Sequence, residues 1–159
     1  MDGAGALGHH HGGRQQPDPP WTDSPGGNYA ANADTSLTSP VLDLTGLSGV
    51  RLAFRHLYDF ETGFDGGAVE VSTDGVSFTR VKTYSAQDHT TTWELAEIDL
   101  PMLDNAAQAR IRFRVTADAG VQRDGWHLDD IEISAGASSL VFADGFESGD
   151  TNAWTTAVP

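Results

Sequence analysis

Between Arg110 and Val115, basic and apolar residues alternate without a break, Arg-Ile-Arg-Phe-Arg-Val. A period of two puts Ile111, Phe113 and Val115 on one face of an extended strand and the three arginines on the other. Such a strand is half-buried and has a basic outer face. Residues 51–58 repeat the pattern, with Leu52, Phe54, His56 and Tyr58 on one side and Arg51, Ala53, Arg55 and Leu57 on the other. Val69-Glu70-Val71-Ser72 and Ser77-Phe78-Thr79-Arg80-Val81 flank Asp74-Gly75, a dipeptide that tolerates positive φ, and together predict a hairpin. Residues 93–100 and 127–133 read as further strands, and residues 37–44 as an edge strand because Pro40 interrupts them. Only residues 102–109 could hold a helical turn. About six to eight short strands separated by turn signals predict an all-β, two-sheet antiparallel jelly-roll β-sandwich.

A chain of 159 residues usually holds a single hydrophobic core. Its 4 Trp, 3 Tyr and 7 Phe are ample for one. Acidic residues outnumber basic ones 23 to 9, a net charge of −14, which argues against nucleic acid as a partner because phosphate contacts need clustered Lys and Arg. The absence of cysteine excludes disulfides, thiolate zinc sites and Cys nucleophiles. No run approaches the ~18 apolar residues of a membrane span. Residues 1–20 mix Gly, His, Gln and Pro without periodicity and read as a flexible segment; they lack the basic start and apolar stretch of a signal peptide. The chain therefore either stays inside a cell or is a fragment of a longer exported protein. The run His9-His10-His11 could catch a transition metal weakly, and such runs are more often incidental.

Five ordered blocks carry a family likeness: Asp23-Ser24-Pro25-Gly26-Gly27-Asn28-Tyr29; Asp34-Thr35-Ser36-Leu37-Thr38-Ser39-Pro40; Tyr58-Asp59-Phe60-Glu61-Thr62-Gly63-Phe64-Asp65-Gly66-Gly67; Val69-Glu70-Val71-Ser72-Thr73-Asp74-Gly75; and Asp124-Gly125-Trp126-His127-Leu128-Asp129-Asp130-Ile131. In order and spacing they resemble the MAM-like jelly-roll domain, of MAM/concanavalin-like fold, that accompanies immune inhibitor A type bacterial metallopeptidases. The resemblance divides the chain into the segment 1–20, a MAM-like domain at 21–136 and a tail at 137–159. It implies a secreted or cell-surface, noncatalytic accessory module of a hydrolase, commonly with bound calcium. Domains of this type usually open with a strand containing Phe-Glu and a Trp, and residues 1–20 offer none. The tail, with Gly145-Phe146-Glu147-Ser148-Gly149-Asp150 and Trp154, resembles both the tails that end many exported proteobacterial proteins and such an opening strand. It could fill that strand position in its own chain or, by strand exchange through 140–159, in a neighbour, but a loose sorting tail or linker is the favoured reading.

Calcium takes six to eight hard oxygen ligands and so favours Asp and Glu near irregular turns. The candidates are Asp34, Glu61, Asp65, Asp129 and Asp130, with Ca2+ in a structural role. Neighbours on a strand point to opposite faces, so one of Asp129 and Asp130 is expected to face the ion unless a bulge intervenes. The alternative is that these acids cap turns and keep the surface soluble.

Catalysis is not expected. His56 with Asp59 and a serine suggests a triad, yet the chain has no Gly-x-Ser-x-Gly elbow, and His-Glu-x-x-His is absent as well. Glu61 and Asp65 could pair as glycosidase acids, without spacing evidence for it. Binding competes more seriously, with a protein or carbohydrate ligand on the sandwich surface. Trp93 and Trp126 read as core and Tyr29 and Tyr84 as exposed. The row Arg110, Arg112 and Arg114 either receives an acidic partner or pairs with acids across the sheet, the latter favoured. A carbohydrate-binding module and a self-associating surface adhesin are the runner-up readings.

Overall fold

The computed structural model describes residues 19–85, 90, 92–136, 139–146 and 151–157. These residues form two antiparallel sheets packed face to face. Ten strands follow in chain order: β1 (Trp21–Thr22), β2 (Asp34–Thr38), β3 (Arg51–Asp59), β4 (Gly66–Ser72), β5 (Thr79–Ser85), β6 (Glu94–Asp99), β7 (Arg110–Thr116), β8 (Gly125–Ala135), β9 (Ser139–Asp144) and β10 (Thr155–Ala157). The first sheet runs β1-β8-β3-β6, with β9 beside β1 on the same edge of β8; the second runs β10-β2-β7-β4-β5. The expected all-β sandwich is the observed fold. Among the described residues the only helical piece is a 3-10 turn at Pro101–Leu103, which overlaps the start of the stretch 102–109 expected to hold one turn, and no helix is long and apolar enough to cross a membrane.

Alternation builds the core as the sequence requires. Leu52, Phe54, His56 and Tyr58 of β3 face inward, as do Ile111, Phe113 and Val115 of β7. In β8 the rule holds on either side of one irregularity. Trp126 and Leu128 are buried, then Ile131, Ile133 and Ala135, so the inward parity switches between Leu128 and Ile131. Asp130 has φ +48 at this point, and the pairing with β3 shifts between Ala53 and Arg55. That is a β-bulge, and neither Asp129 nor Asp130 belongs to the buried core.

Trp126 is the hub between the sheets. Its ring lies 5.3 Å from Tyr84, 5.7 Å from Phe113 and 6.4 Å from both Phe54 and Phe60, mostly edge-on, the geometry favoured by the aromatic quadrupole. It can approach the second sheet because β4 presents Gly67, where a Cβ would stand 2.5 Å from the ring's Cε3.

Several expectations need correction. Tyr29 and Tyr84 are core residues, 3% and 8% exposed, while Trp93 is 39% exposed at the approach to the edge strand β6. Tyr84 pairs with Gly67 and so faces inward, onto His56 and Trp126. Strand β2 is no edge, since β10 covers it through Thr155↔Thr38, Thr156↔Leu37 and Ala157↔Ser36. The β4–β5 hairpin forms with a longer loop than a two-residue turn. Asp74 Oδ1 ties that loop, accepting from the Val76 and Ser77 N–H groups (2.8 and 2.7 Å) and the Ser72 hydroxyl (2.8 Å), and Gly75 takes φ +77. The His9-His11 run lies outside the described residues.

The Gly67–Trp126 contact yields a direct test. Gly67→Ala forces the fully buried indole to shift, and overpacking of that kind costs about 1–3 kcal/mol. Urea unfolding is expected to show a lower midpoint with an unchanged slope.

Candidate functional site

Strands β3 and β8 meet at Asp59↔Gly125, and β4 and β7 meet at Gly66↔Thr116. The β3–β4 and β7–β8 connections therefore cross between the sheets at the same end of the sandwich. Each carries acids. From the first come Glu61 and Asp65, from the second Asp118, and one oxygen of each lies within 4.8 Å of the others. Two oxygens bound to one calcium at about 2.4 Å can be no more than ~4.8 Å apart. The cluster is thus able to chelate a metal ion.

The loops are shaped around these carboxylates. Asp65 is only 5% exposed; its Oδ2 accepts from the Tyr29 hydroxyl at 2.6 Å and its Oδ1 from the Asp118 N–H at 2.8 Å. Glu61 Oε2 accepts from the Val121 N–H at 3.0 Å, and Asp118 Oδ1 from the Gly120 N–H at 2.6 Å. Gly120 lets the loop close over both, since a Cβ there would sit 2.8 Å from Asp118 Oδ1 and from Glu61 Oε2. Burial, then the hydrogen bond to Asp65, holds the Tyr29 phenol protonated far above its ordinary range. A carboxylate oxygen has two lone pairs, so these bonds leave capacity for a cation.

The structure brings together two of the five acids singled out in the sequence, Glu61 and Asp65. Asp34 instead receives two hydrogen bonds of 2.7 Å from Arg114, which lower its pKa. Asp129 Oδ1 accepts from the Asp130 N–H at 2.8 Å, and the exposed Asp130 lies 3.4 Å from Arg55. Asp118 was not singled out. Its signal was local: an acid two residues before Gly120 in a loop, the spacing of an Asx turn.

Two of the three arginines of the row pair across their sheet, Arg112 with Glu70 and Arg114 with Asp34, whereas Arg110 Nε is enclosed without a hydrogen-bond partner among the described residues. Arg112 grips Glu70, which is buried, through Nη2 at 2.6 Å and Nε at 2.7 Å, and Phe78 covers the guanidinium at 3.9 Å. His56 is buried, and its Nδ1 accepts from the Trp126 indole N–H at 3.3 Å. Burial pushes its pKa down to about 4. It is a neutral core acceptor rather than a surface base.

No family model matches this chain, and no curated protein matches it. Solved structures similar to this chain include a carbohydrate-binding module and an adhesin domain. The carbohydrate-binding module TmCBM61, in complex with β-1,4-galactotriose, is 19% identical, with 69% of each chain covered and a TM-score of 0.46. The K2 cleaved adhesin domain of Lys-gingipain is 21% identical over 71% of this chain and 69% of that one, also at a TM-score of 0.46.

A further titratable group outside the cluster is Asp23. Asp23 Oδ1 accepts from the Trp126 backbone N–H at 2.7 Å, while Oδ2 is enclosed without a hydrogen-bond partner. Burial raises its pKa to about 6, against the lowering effect of that N–H. The folded state then holds its proton more tightly than the unfolded chain, so this group's contribution to stability is present below pH ~4 and is lost as pH rises through ~6. Asp23→Asn keeps the acceptor and removes the titration. The stability of wild type minus variant, from urea unfolding, is expected to fall by about 2–3 kcal/mol between pH ~3.5 and ~7.5.

Proposed function

We propose that this chain is a noncatalytic recognition and adhesion module, stabilised by a calcium ion held by Glu61, Asp65 and Asp118. The observation that carries this reading is the convergence of three carboxylates from two crossover loops, each with an oxygen already oriented by a backbone N–H. An ion there ties the β3–β4 connection to the β7–β8 connection and so closes one end of the sandwich. Waters and loop carbonyls complete the six to eight ligands that calcium takes. The ion's work is structural, and no step of bond chemistry is assigned to it.

Placement of the module beside a secreted bacterial hydrolase, a metallopeptidase in the family it resembles, rests on the five sequence blocks alone. A carbohydrate ligand is the second reading, and one feature favours it. Phe64 is 70% exposed on the same loop as Glu61 and Asp65, an aromatic face available for stacking on a sugar ring. Phe64→Ala is the substitution with which glycan arrays, run with and without calcium, would test that surface.

The deciding experiment is a thermal melt of chelator-treated protein with and without millimolar calcium, with magnesium as control. At ~100 times the dissociation constant, calcium adds ~2.7 kcal/mol and raises Tm by several degrees. Asp65→Asn is expected to remove most of the rise and Asp34→Asn to keep it. Absence of a calcium-specific shift in wild type would overturn the ion's role.

A further inference from the structure

The segment carrying β9 and β10 bridges the two sheets. β9 pairs with β8 of the first sheet, from Ile131↔Asp144 to Ala135↔Ser139, and β10 pairs with β2 of the second. Each is held by a single ladder, because each lies at a sheet edge. Between them the segment sends two aromatic anchors inward: Phe146 and Trp154 are both buried in the core cluster. An extended peptide that adds strands to exposed edges and seats side chains in pockets follows the recognition mode of β-augmentation.

Trp154 is also held by aromatic and polar contacts within its own segment. Its ring lies 5.4 Å from Phe142 and 6.1 Å from Phe146, and its indole N–H donates to Asp144 Oδ2 at 2.7 Å. Among the described residues of the sandwich body, Phe113, at 6.3 Å, makes a ring contact with it. Thr155, Thr156 and Ala157 are exposed, and so is Leu140. Beside Phe146 a cleft of about 430 Å3 is lined by Pro19, Pro20, Trp21, Pro25 and Thr151 among others.

From this arrangement we infer that the segment is an exchangeable plug, and that its groove accepts the same segment from a second copy of this chain. The second copy is the occupant because it presents the same anchors, the same Asp144–Trp154 bond and the same ladder register. Reciprocal exchange closes a two-fold dimer with no unsatisfied edge added. The bonds lost and gained are alike, so concentration sets the balance. A tethered segment has an effective concentration in the millimolar range, and exchange therefore belongs to crowded or surface-tethered chains. This inference stands whether or not calcium binds the carboxylate cluster.

The test uses the full chain. A fluorescent peptide of residues 139–157 is titrated with wild type, with Trp154→Ala, whose own anchor is lost, and with Thr156→Pro, which weakens the β10 ladder without emptying the core. Both variants are expected to bind the peptide at protein concentrations at least about tenfold lower than wild type, because their own segments compete less. A peptide carrying Trp154→Ala is expected not to bind. Wild type refolded at ~1 mM is expected to give a dimer by light scattering, and at ~10 μM a monomer. If circular dichroism shows Trp154→Ala unfolded, Thr156→Pro carries the comparison. A folded variant that ignores the peptide overturns the plug. Peptide binding with only monomer at ~1 mM overturns the second copy as occupant.

Discussion

An indole placed between two sheets needs room on the facing strand and an acceptor for its N–H, and Trp126 finds both in residues distant in sequence. Gly67 gives the room, since any Cβ there would meet the ring. His56 gives the acceptor, and it does so only while Nδ1 keeps its lone pair, so the imidazole must be neutral with its proton on Nε2. Burial enforces that state. The Trp126 backbone N–H donates to Asp23 Oδ1, which extends the short β1 pairing beyond Thr22. Phe60, packed against the indole, directly precedes Glu61, so the position of the Trp126 ring also fixes where the first crossover loop begins.

Asp23 and His56 both touch Trp126 and titrate in opposite senses. A carboxyl with a raised pKa contributes stability at low pH and loses it as pH rises through about 6. A histidine with a lowered pKa does the reverse: its contribution is present above ~6.5 and lost as pH falls toward 4. The two windows overlap between ~4 and 6. Over that interval their slopes oppose each other, so a shallow curve for the whole protein conceals two steep components, and only the difference between wild type and a single variant separates them.

Strand positions in β3 and β7 were legible because strict alternation has one structural meaning. The sheet partners were not, since pairing depends on residues far apart. That is why Tyr84 turned inward: its register against Gly67, not its closeness to a turn, decides its face. Tyr29 is buried for a reason no local pattern carries, a bond to Asp65 across 36 residues. Trp93 shares the alternation of a core residue, but the strand it leads into is the edge β6, where the opposing sheet gives less cover. The acidic site was half legible. Glu61 and Asp65 share one loop, whereas Asp118 joins them only through the common end at which two crossovers meet. The β8 bulge, anticipated only as an exception, takes both Asp129 and Asp130 out of the core pattern.

Most of the basic residues are committed to acids outside the carboxylate cluster. Arg51 binds Asp99 and Glu97, Arg55 lies near Asp130, Arg80 and Arg112 face Glu70, and Arg114 holds Asp34. Among the described residues no ion pair reaches Glu61, Asp65 or Asp118. Two unit charges ~4.8 Å apart repel by about 3.5 kcal/mol at an effective dielectric of ~20, and three carboxylates make three such pairs. Hydrogen bonds to charged groups return about 1.5–3 kcal/mol each, which offsets much of that repulsion and leaves the three carboxylates close to balance. A divalent cation changes the sign of the whole term, because every oxygen that repelled its neighbours then attracts a common centre. The loops that gain are the crossovers joining the sheets, where apolar burial ends with Phe60 and Val115 and charge must finish the closure.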